Sequence, residues 1–266
     1  MMEFSNVVGI FAFYFGAIIG SFLNVCIVRM PKEQSIVKPS SHCLHCKKPI
    51  LWYDNIPLVS FLALLGRCRF CKKSISIRYF IVELLTALFF LGFYFYFGLS
   101  WKWMAYSIFV SGLIIATFID IEHRIIPDEI SIGGMVVGLI FSLLFPELHK
   151  TSSHLLALWR SLLGVLIGGG SIYAMGLLGD FIFKKESMGG GDVKLLAMIG
   201  AFLGWPSAVL TFFIAPIFGA VAGIIVKIRT KESVIPYGPF LAIAALISLF
   251  FSQPLIDWIL SGYGVY

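Results

Sequence analysis

Long apolar runs joined by short polar stretches set the pattern of this chain. They cover about residues 7–28, 79–99, 101–119, 130–145 and 156–183. From 193 to 226 the chain is apolar for 34 residues, broken at Trp205-Pro206, and a last run covers about 240–260. A helix that crosses a bilayer takes ~20 such residues, so each run predicts a transmembrane helix. Pro254 is expected to end the last helix early. The exception to the pattern is 29–78, a polar stretch of 50 residues between the first two helices.

Lysine and arginine orient these helices. Ten of the 20 lie in 29–78. With that loop in the cytoplasm, Arg124, then Lys184, Lys185 and Lys194, then Lys227, Arg229 and Lys231 also fall inside. Only Lys102, Lys150 and Arg160 fall at the outer edge, so 17 of the 20 follow the positive-inside rule. The stretches near Lys184 and Lys227 are both basic, so an even number of crossings separates them. The run 193–226 is therefore expected to be two short helices of ~17 residues each, folded at Gly204-Trp205-Pro206. The expectation is an all-α polytopic membrane protein of about eight transmembrane helices, with both termini outside. No lysine or arginine precedes the first run, unlike the start of a cleaved signal peptide.

Composition agrees. The chain is 59% hydrophobic and 13% charged, where a soluble domain is nearer half and a quarter. That excludes an ordinary soluble enzyme, a disordered chain and a secreted disulfide scaffold. The net charge of +6 then records basic cytoplasmic loops and not a nucleic-acid partner.

Within the polar loop stand Cys43-Leu-His-Cys46 and Cys68-Arg-Phe-Cys71, with 21 residues between the pairs. Two such pairs can present four thiolates to a tetrahedral Zn²⁺. Four sulfurs leave no open position, so a zinc ion here would be structural. The alternative, a pair of disulfides, conflicts with a reducing cytoplasm. Lys47, Lys48, Lys72 and Lys73 follow the pairs and offset the charge of four thiolates. His42 and His45 read as solvated loop residues, and Cys26 as packing within the first helix.

Of the 14 acidic residues, Glu83, Asp120 and Asp192 adjoin or enter apolar runs. Charges at such depth are costly and mark function by default. Asp120 ends the third helix, before Pro127 and Asp128 turn the chain into the next. Asp192 closes Gly189-Gly190-Gly191-Asp192 and begins an apolar helix, whose macrodipole stabilises its anion. The glycines allow close backbone approach and unusual φ/ψ values. Taken alone, each Asp can be an interfacial or capping residue. The derived topology puts both at the cytoplasmic edge. Facing carboxylates share one proton, because like charges at close range do not both ionise easily. One can then activate water while the other polarises a scissile carbonyl. Glu83 either supports that site or pairs with a basic residue. Glu122, Asp128, Glu129 and Glu186 read as surface charges. Gly168-Gly169-Gly170 predicts close helix packing.

Together these residues resemble the type IV prepilin peptidases. The resemblance is carried by Gly20-Ser-Phe-Leu-Asn-Val-Cys-Ile-Val-Arg-Met-Pro31, by the cysteine loop, and by Asp120 with Pro127 seven residues on. It is carried also by Gly189-x-Gly191-Asp192 with Lys194, and more weakly by Tyr237-Gly-Pro-Phe-Leu-Ala242. It spans nearly the whole chain and implies that Asp120 and Asp192 are the catalytic pair. Gly189, Gly191, Lys194, Glu83 and Pro127 are expected to support them. It also implies prepilins, pseudopilins or competence pilins as substrates, cut on the cytoplasmic side after a glycine. The new N-terminal residue would then be methylated from S-adenosylmethionine. No familiar nucleotide-binding motif of soluble methyltransferases is present, so that donor rests on the resemblance alone.

Three parts are thus expected in a bacterial inner membrane: 1–28 as the first transmembrane helix, 29–78 as a cytoplasmic four-cysteine loop, and 79–266 as a membrane-embedded peptidase domain. The competing possibility is a non-enzymatic membrane scaffold or transporter with a zinc-stabilised loop.

Overall fold

The computed structural model describes residues 2–184, 188–230 and 235–262. Glu186, expected as a surface charge, and Lys185 and Lys231, expected among the inner basic residues, lie outside the described residues. Every apolar run forms a helix: α1 (Met2–Arg29), α3 (Ile77–Phe97), α4 (Trp101–His123), α5 (Asp128–Leu144), α6 (His154–Phe183), α7 (Gly190–Leu203), α8 (Trp205–Thr230) and α9 (Gly238–Gly262). The polar loop adds a short α2 (Val59–Ala63). Among the described residues five of these, α1, α3, α4, α6 and α8, are long and apolar enough to cross a bilayer. The chain divides into two compact units, Met1–Ile115 and Ala116–Tyr266.

In the first unit α1 lies along α3. Glycines make the seam close. A Cβ on Gly20 would stand 2.7 Å from the Glu83 Cα, and one on Gly16 would stand 2.9 Å from the Ala87 Cα. Asn24 crosses the seam, its side-chain amide donating to the Tyr79 carbonyl at 3.0 Å. Arg29 ends α1 and donates to the carbonyls of Ser35 and Pro39 at 3.0 and 2.7 Å, folding the start of the loop back onto the helix. Ser76 caps the start of α3 through the Arg78 N–H, and Gly98, with φ 65°, stops its end.

The second unit is built around α7. All its residues from Leu195 to Phe202 are buried, and α5, α6, α8 and α9 pack against it. A helix apolar on every side suits a core. The break expected within 193–226 falls at Gly204, whose φ is 79°. The two helices are unequal, however, with 14 residues in α7 and 26 in α8. Pro206 lies in the first turn of α8, where a missing N–H does no harm. Pro254 does not end α9, which runs on to Gly262. A proline removes one intrahelical bond and bends a helix, but the flanking bonds can carry it on.

Gly164 and Gly168 bring α6 onto α7. A Cβ on Gly164 would collide with the Gly200 carbonyl, and one on Gly168 would lie 2.6 Å from the Leu196 oxygen. This is the close packing that small residues four apart permit. At the end of α7 the free carbonyl of Ala201 accepts the hydroxyls of Ser161 and Ser142 at 2.6 and 3.3 Å. Ser142 also meets His149 Nε2 at 2.8 Å. Burial, and then the Arg160 charge, pushes His149 down to about 4.

Candidate active site and metal centre

Asp120 stands in the last turn of α4 and is 6% exposed. Its Oδ2 accepts the backbone N–H of Gly238, at the start of α9, at 2.7 Å. No side chain fits there: a Cβ on Gly238 would fall 2.8 Å from that oxygen. The chain leaves α4 through Arg124, which has φ 57° and returns its N–H to the Asp120 carbonyl.

Asp192 sits in the first turn of α7, three residues after Gly189, and its N–H donates to the Gly189 carbonyl at 3.1 Å. Its carboxylate lies close enough to Asp120 for the two charges to act on each other. The three glycines do not serve through unusual dihedrals, since none has a positive φ. What matters is the missing side chain. A Cβ on Gly191 would stand 3.1 Å from Ile126, so this glycine lets the α4–α5 turn lie against the start of α7. Gly189 lies beside the carboxylate it precedes, its Cβ position 3.4 Å from Asp192 Oδ2. Gly190 faces open space.

The remaining expected residues divide. Pro127 caps α5 and accepts the Ile130 and Ser131 N–H groups, closing the turn that carries Ile126. Lys194 reaches Asp128 with both oxygens at 2.7 and 2.9 Å, joining α7 to α5. Asp128 is therefore an ion-pair partner, not only a surface charge. Glu83 belongs to the first unit. It is buried, and its Oε2 accepts the Leu58 N–H at 2.8 Å. Among the described residues its partners are this amide and the Ser21 hydroxyl, not a basic side chain.

Tyr237 and Gly238 adjoin the two carboxylates, and residue type alone marks neither as functional. Burial, and then the negative charge of Asp192, pushes the Tyr237 phenol up to about 12. Their only signal was the Tyr237-Gly238-Pro239 segment of the resemblance.

Apart from this site, the four loop cysteines converge. All are free thiols, and their sulfurs lie within 4.8 Å of one another. Cys43 and Cys71 stand 3.8 Å apart, and Cys46 and Cys68 4.0 Å. Sulfurs at 2.3 Å from a tetrahedral zinc would be ~3.8 Å apart, so the donor set and its spacing fit that ion. The two knuckles share one geometry. Cys43 N–H bonds the Lys48 carbonyl and Cys68 N–H the Lys73 carbonyl, both at 2.9 Å. Lys47 and Lys72 turn the chain with φ 58° and 57°. The Cys46 amide, ahead of weaker influences, pulls the Cys43 thiol down to about 6. Asp54 and Arg69 brace the loop through two hydrogen bonds of 2.7 and 2.6 Å.

Comparison with known proteins covers the same two parts. Residues 14–97 match the bacterial peptidase A24 N-terminal domain, and 107–224 match the type IV leader peptidase family. The prepilin leader peptidase/N-methyltransferase of Myxococcus xanthus (strain DK1622) is 40% identical over 230 residues, covering 86% of this chain and 66% of that protein. That of Stutzerimonas stutzeri is 36% identical over 266 residues, covering 90% and 89%. That of Aeromonas hydrophila is 32% identical over 278 residues, covering 94% and 93%. The chain thus spans just under two thirds of the first relative and most of the other two. No solved structure matches it.

Proposed function

Because the chain belongs to the type IV leader peptidase family, we propose that it is an integral-membrane aspartic endopeptidase acting on prepilins or pilin-like proteins. It removes their leader at the cytoplasmic membrane face and N-methylates the new N-terminal residue. What supports the peptidase is a pair of carboxylates at separate helix ends: Asp120 accepts the Gly238 N–H, Gly191 lets the start of α7 lie against Ile126 just beyond α4, and the Asp120 charge acts on Asp192.

The pair shares one proton. Asp120, whose Oδ2 already accepts the Gly238 N–H, takes a proton from water. The water oxygen attacks the scissile carbonyl carbon. Asp192 holds the shared proton against the carbonyl oxygen, and a proton passes to the leaving amine as the intermediate collapses. The first turn of α7 favours negative charge at Asp192 once its proton has gone. Gly189, Gly191 and Pro127 keep the two helix ends together, and the Lys194–Asp128 pair braces them.

The four cysteines would hold one structural Zn²⁺, which would cross-link the two knuckles. Methylation follows from the family. S-adenosylmethionine would supply the methyl group. The basic loop faces the cytoplasm of a bacterial inner membrane, in line with the positive-inside rule. In a polytopic chain of about eight membrane helices, α7 is the short one at the centre of the second unit.

The test is cleavage of a purified precursor by Asp120→Asn and Asp192→Asn in membranes. Both should lose all activity while retaining the fold. Wild-type cleavage by either variant would sink the pair. A scaffold or transporter would predict no cleavage by the unaltered protein.

A further inference from the structure

The segment from Ile56 to Leu65 is nearly all apolar, although it lies in the basic loop. Four of its side chains point outward at three-residue spacing: Ile56 is 41% exposed, Val59 49%, Leu62 61% and Leu65 84%. The opposite side is fixed. Ser60 is buried and its hydroxyl donates to the Tyr53 carbonyl at 2.9 Å. Leu58 is buried in a cluster with Ala17 of α1 and Ala87 of α3. Its N–H is the one held by Glu83.

That anchor sets the depth. Glu83 is six residues into α3, so it lies ~9 Å along the helix from Ile77 at 1.5 Å per residue. Ala17 and Ala87 lie further along α1 and α3, both long and apolar enough to cross a bilayer. The inner side of the segment is thus locked to apolar stretches of these two helices, beyond their basic ends Arg29 and Arg78. An exposed stripe of four large apolar residues is out of place in water. At this level the medium around the helix pair is lipid. Directly after the stripe the chain turns at Gly66, with φ 66°, into exposed Arg67 and Lys72, charges suited to anionic headgroups.

We propose that residues 56–65 form a membrane-inserted interfacial segment, whose outward stripe is covered by lipid acyl chains while Arg67 and Lys72 meet headgroup phosphates. The four-cysteine loop is then fastened to the bilayer at a third place, besides α1 and α3. This needs only that α1 and α3 span the membrane, and it is independent of the peptidase assignment.

The test uses the full chain in phosphatidylethanolamine–phosphatidylglycerol vesicles. A photoreactive benzophenone amino acid is placed at Leu62 or Leu65, with Phe11 of α1 as the lipid-facing control and Lys38 as the aqueous one. Intact mass after irradiation reads the adduct. Leu62 and Leu65 should give lipid adducts within about twofold of Phe11 and at least tenfold above Lys38. Yields equal to Lys38, with Phe11 labelled, would overturn the proposal. So would adducts to polypeptide in place of lipid, whether to the chain's own helices or to an added pilin-like substrate. A second measurement needs no variant. A diazirine carried on lipid tails should label the peptide 56–65 and spare 35–50 in the unaltered protein; the reverse pattern would equally refute it.

Discussion

Gly238→Ala isolates what the backbone does for Asp120. The added Cβ would fall 2.8 Å from Asp120 Oδ2 and 3.3 Å from both Cβ and Cγ of that residue. An ordinary carbon–oxygen contact is ~3.3 Å or more, so the carboxylate must retreat by about 0.5 Å. The 2.7 Å hydrogen bond from Gly238 N–H then stretches to about 3.2 Å, the outer edge of the usual range, and weakens. A hydrogen bond to a charged group contributes about 1.5–3 kcal/mol. At ~1.4 kcal/mol per tenfold in rate, kcat/KM for precursor cleavage should fall by at least about threefold and by up to about 100-fold were the whole bond lost. The fold should not suffer. Gly238 does not have a positive φ, and alanine is the better helix residue by up to about 1 kcal/mol. The assay is the initial rate of leader removal in proteoliposomes, beside a thermal unfolding midpoint for the same preparation. A variant that cleaves within twofold of wild type would refute this account of Asp120. So would a loss of rate that merely tracks a lowered midpoint.

Gly164→Leu should separate α6 from α7, lowering stability by about 1–3 kcal/mol and slowing cleavage through Asp192. Gly170→Leu, with nothing within 4 Å of its Cβ position, should leave both unchanged; equal effects of the two would deny the close crossing. Metal analysis should find about one zinc per chain, from the four-sulfur coordination number, and Cys43→Ser should reduce it. Absence of metal with all four thiols oxidised would rule the zinc out. His149 is neutral when folded, its affinity for protons lowered from 6.5 to about 4. Its contribution is therefore complete above pH 6.5 and is lost as pH falls towards 4, on the order of 3 kcal/mol in all. His149→Gln should flatten the fall in unfolding midpoint over that window, and an unchanged slope would contradict it.

Features that depend on short spacing were legible in the sequence. The C-x2-C pairs, the glycines before Asp192 and the break at Gly204 each declare themselves within a few residues. The longer pattern of 42–50 and 67–75, each carrying C-x-x-C-K-K and ending in isoleucine, was legible too but easily overlooked as a repeat. Two kinds of information were not. An apolar run reads the same whether lipid or protein surrounds it, so the burial of α7 on every side could not be told from a lipid-facing span. Its length was misjudged with it, because two helices drawn through one run have no sequence mark for their outer ends.

The other hidden kind is the backbone partner. Asp120 is held by an amide 118 residues away, and Glu83 by the amide of Leu58. Every residue but proline carries such an N–H, so neither partner leaves a signature of residue type. Glycine is the nearest thing to one, since it alone lets a carboxylate approach as Asp120 approaches Gly238. Acidic residues in apolar surroundings need donors, and lysine or arginine would bring a second charge to desolvate at several kcal/mol. A fixed amide satisfies the carboxylate without that cost. The Arg124 charge also acts on Asp120, yet Asp120 still acts on Asp192. The pairing with amides therefore suits a proton-sharing pair in a membrane, and it is the part of the site that residue identities could not announce.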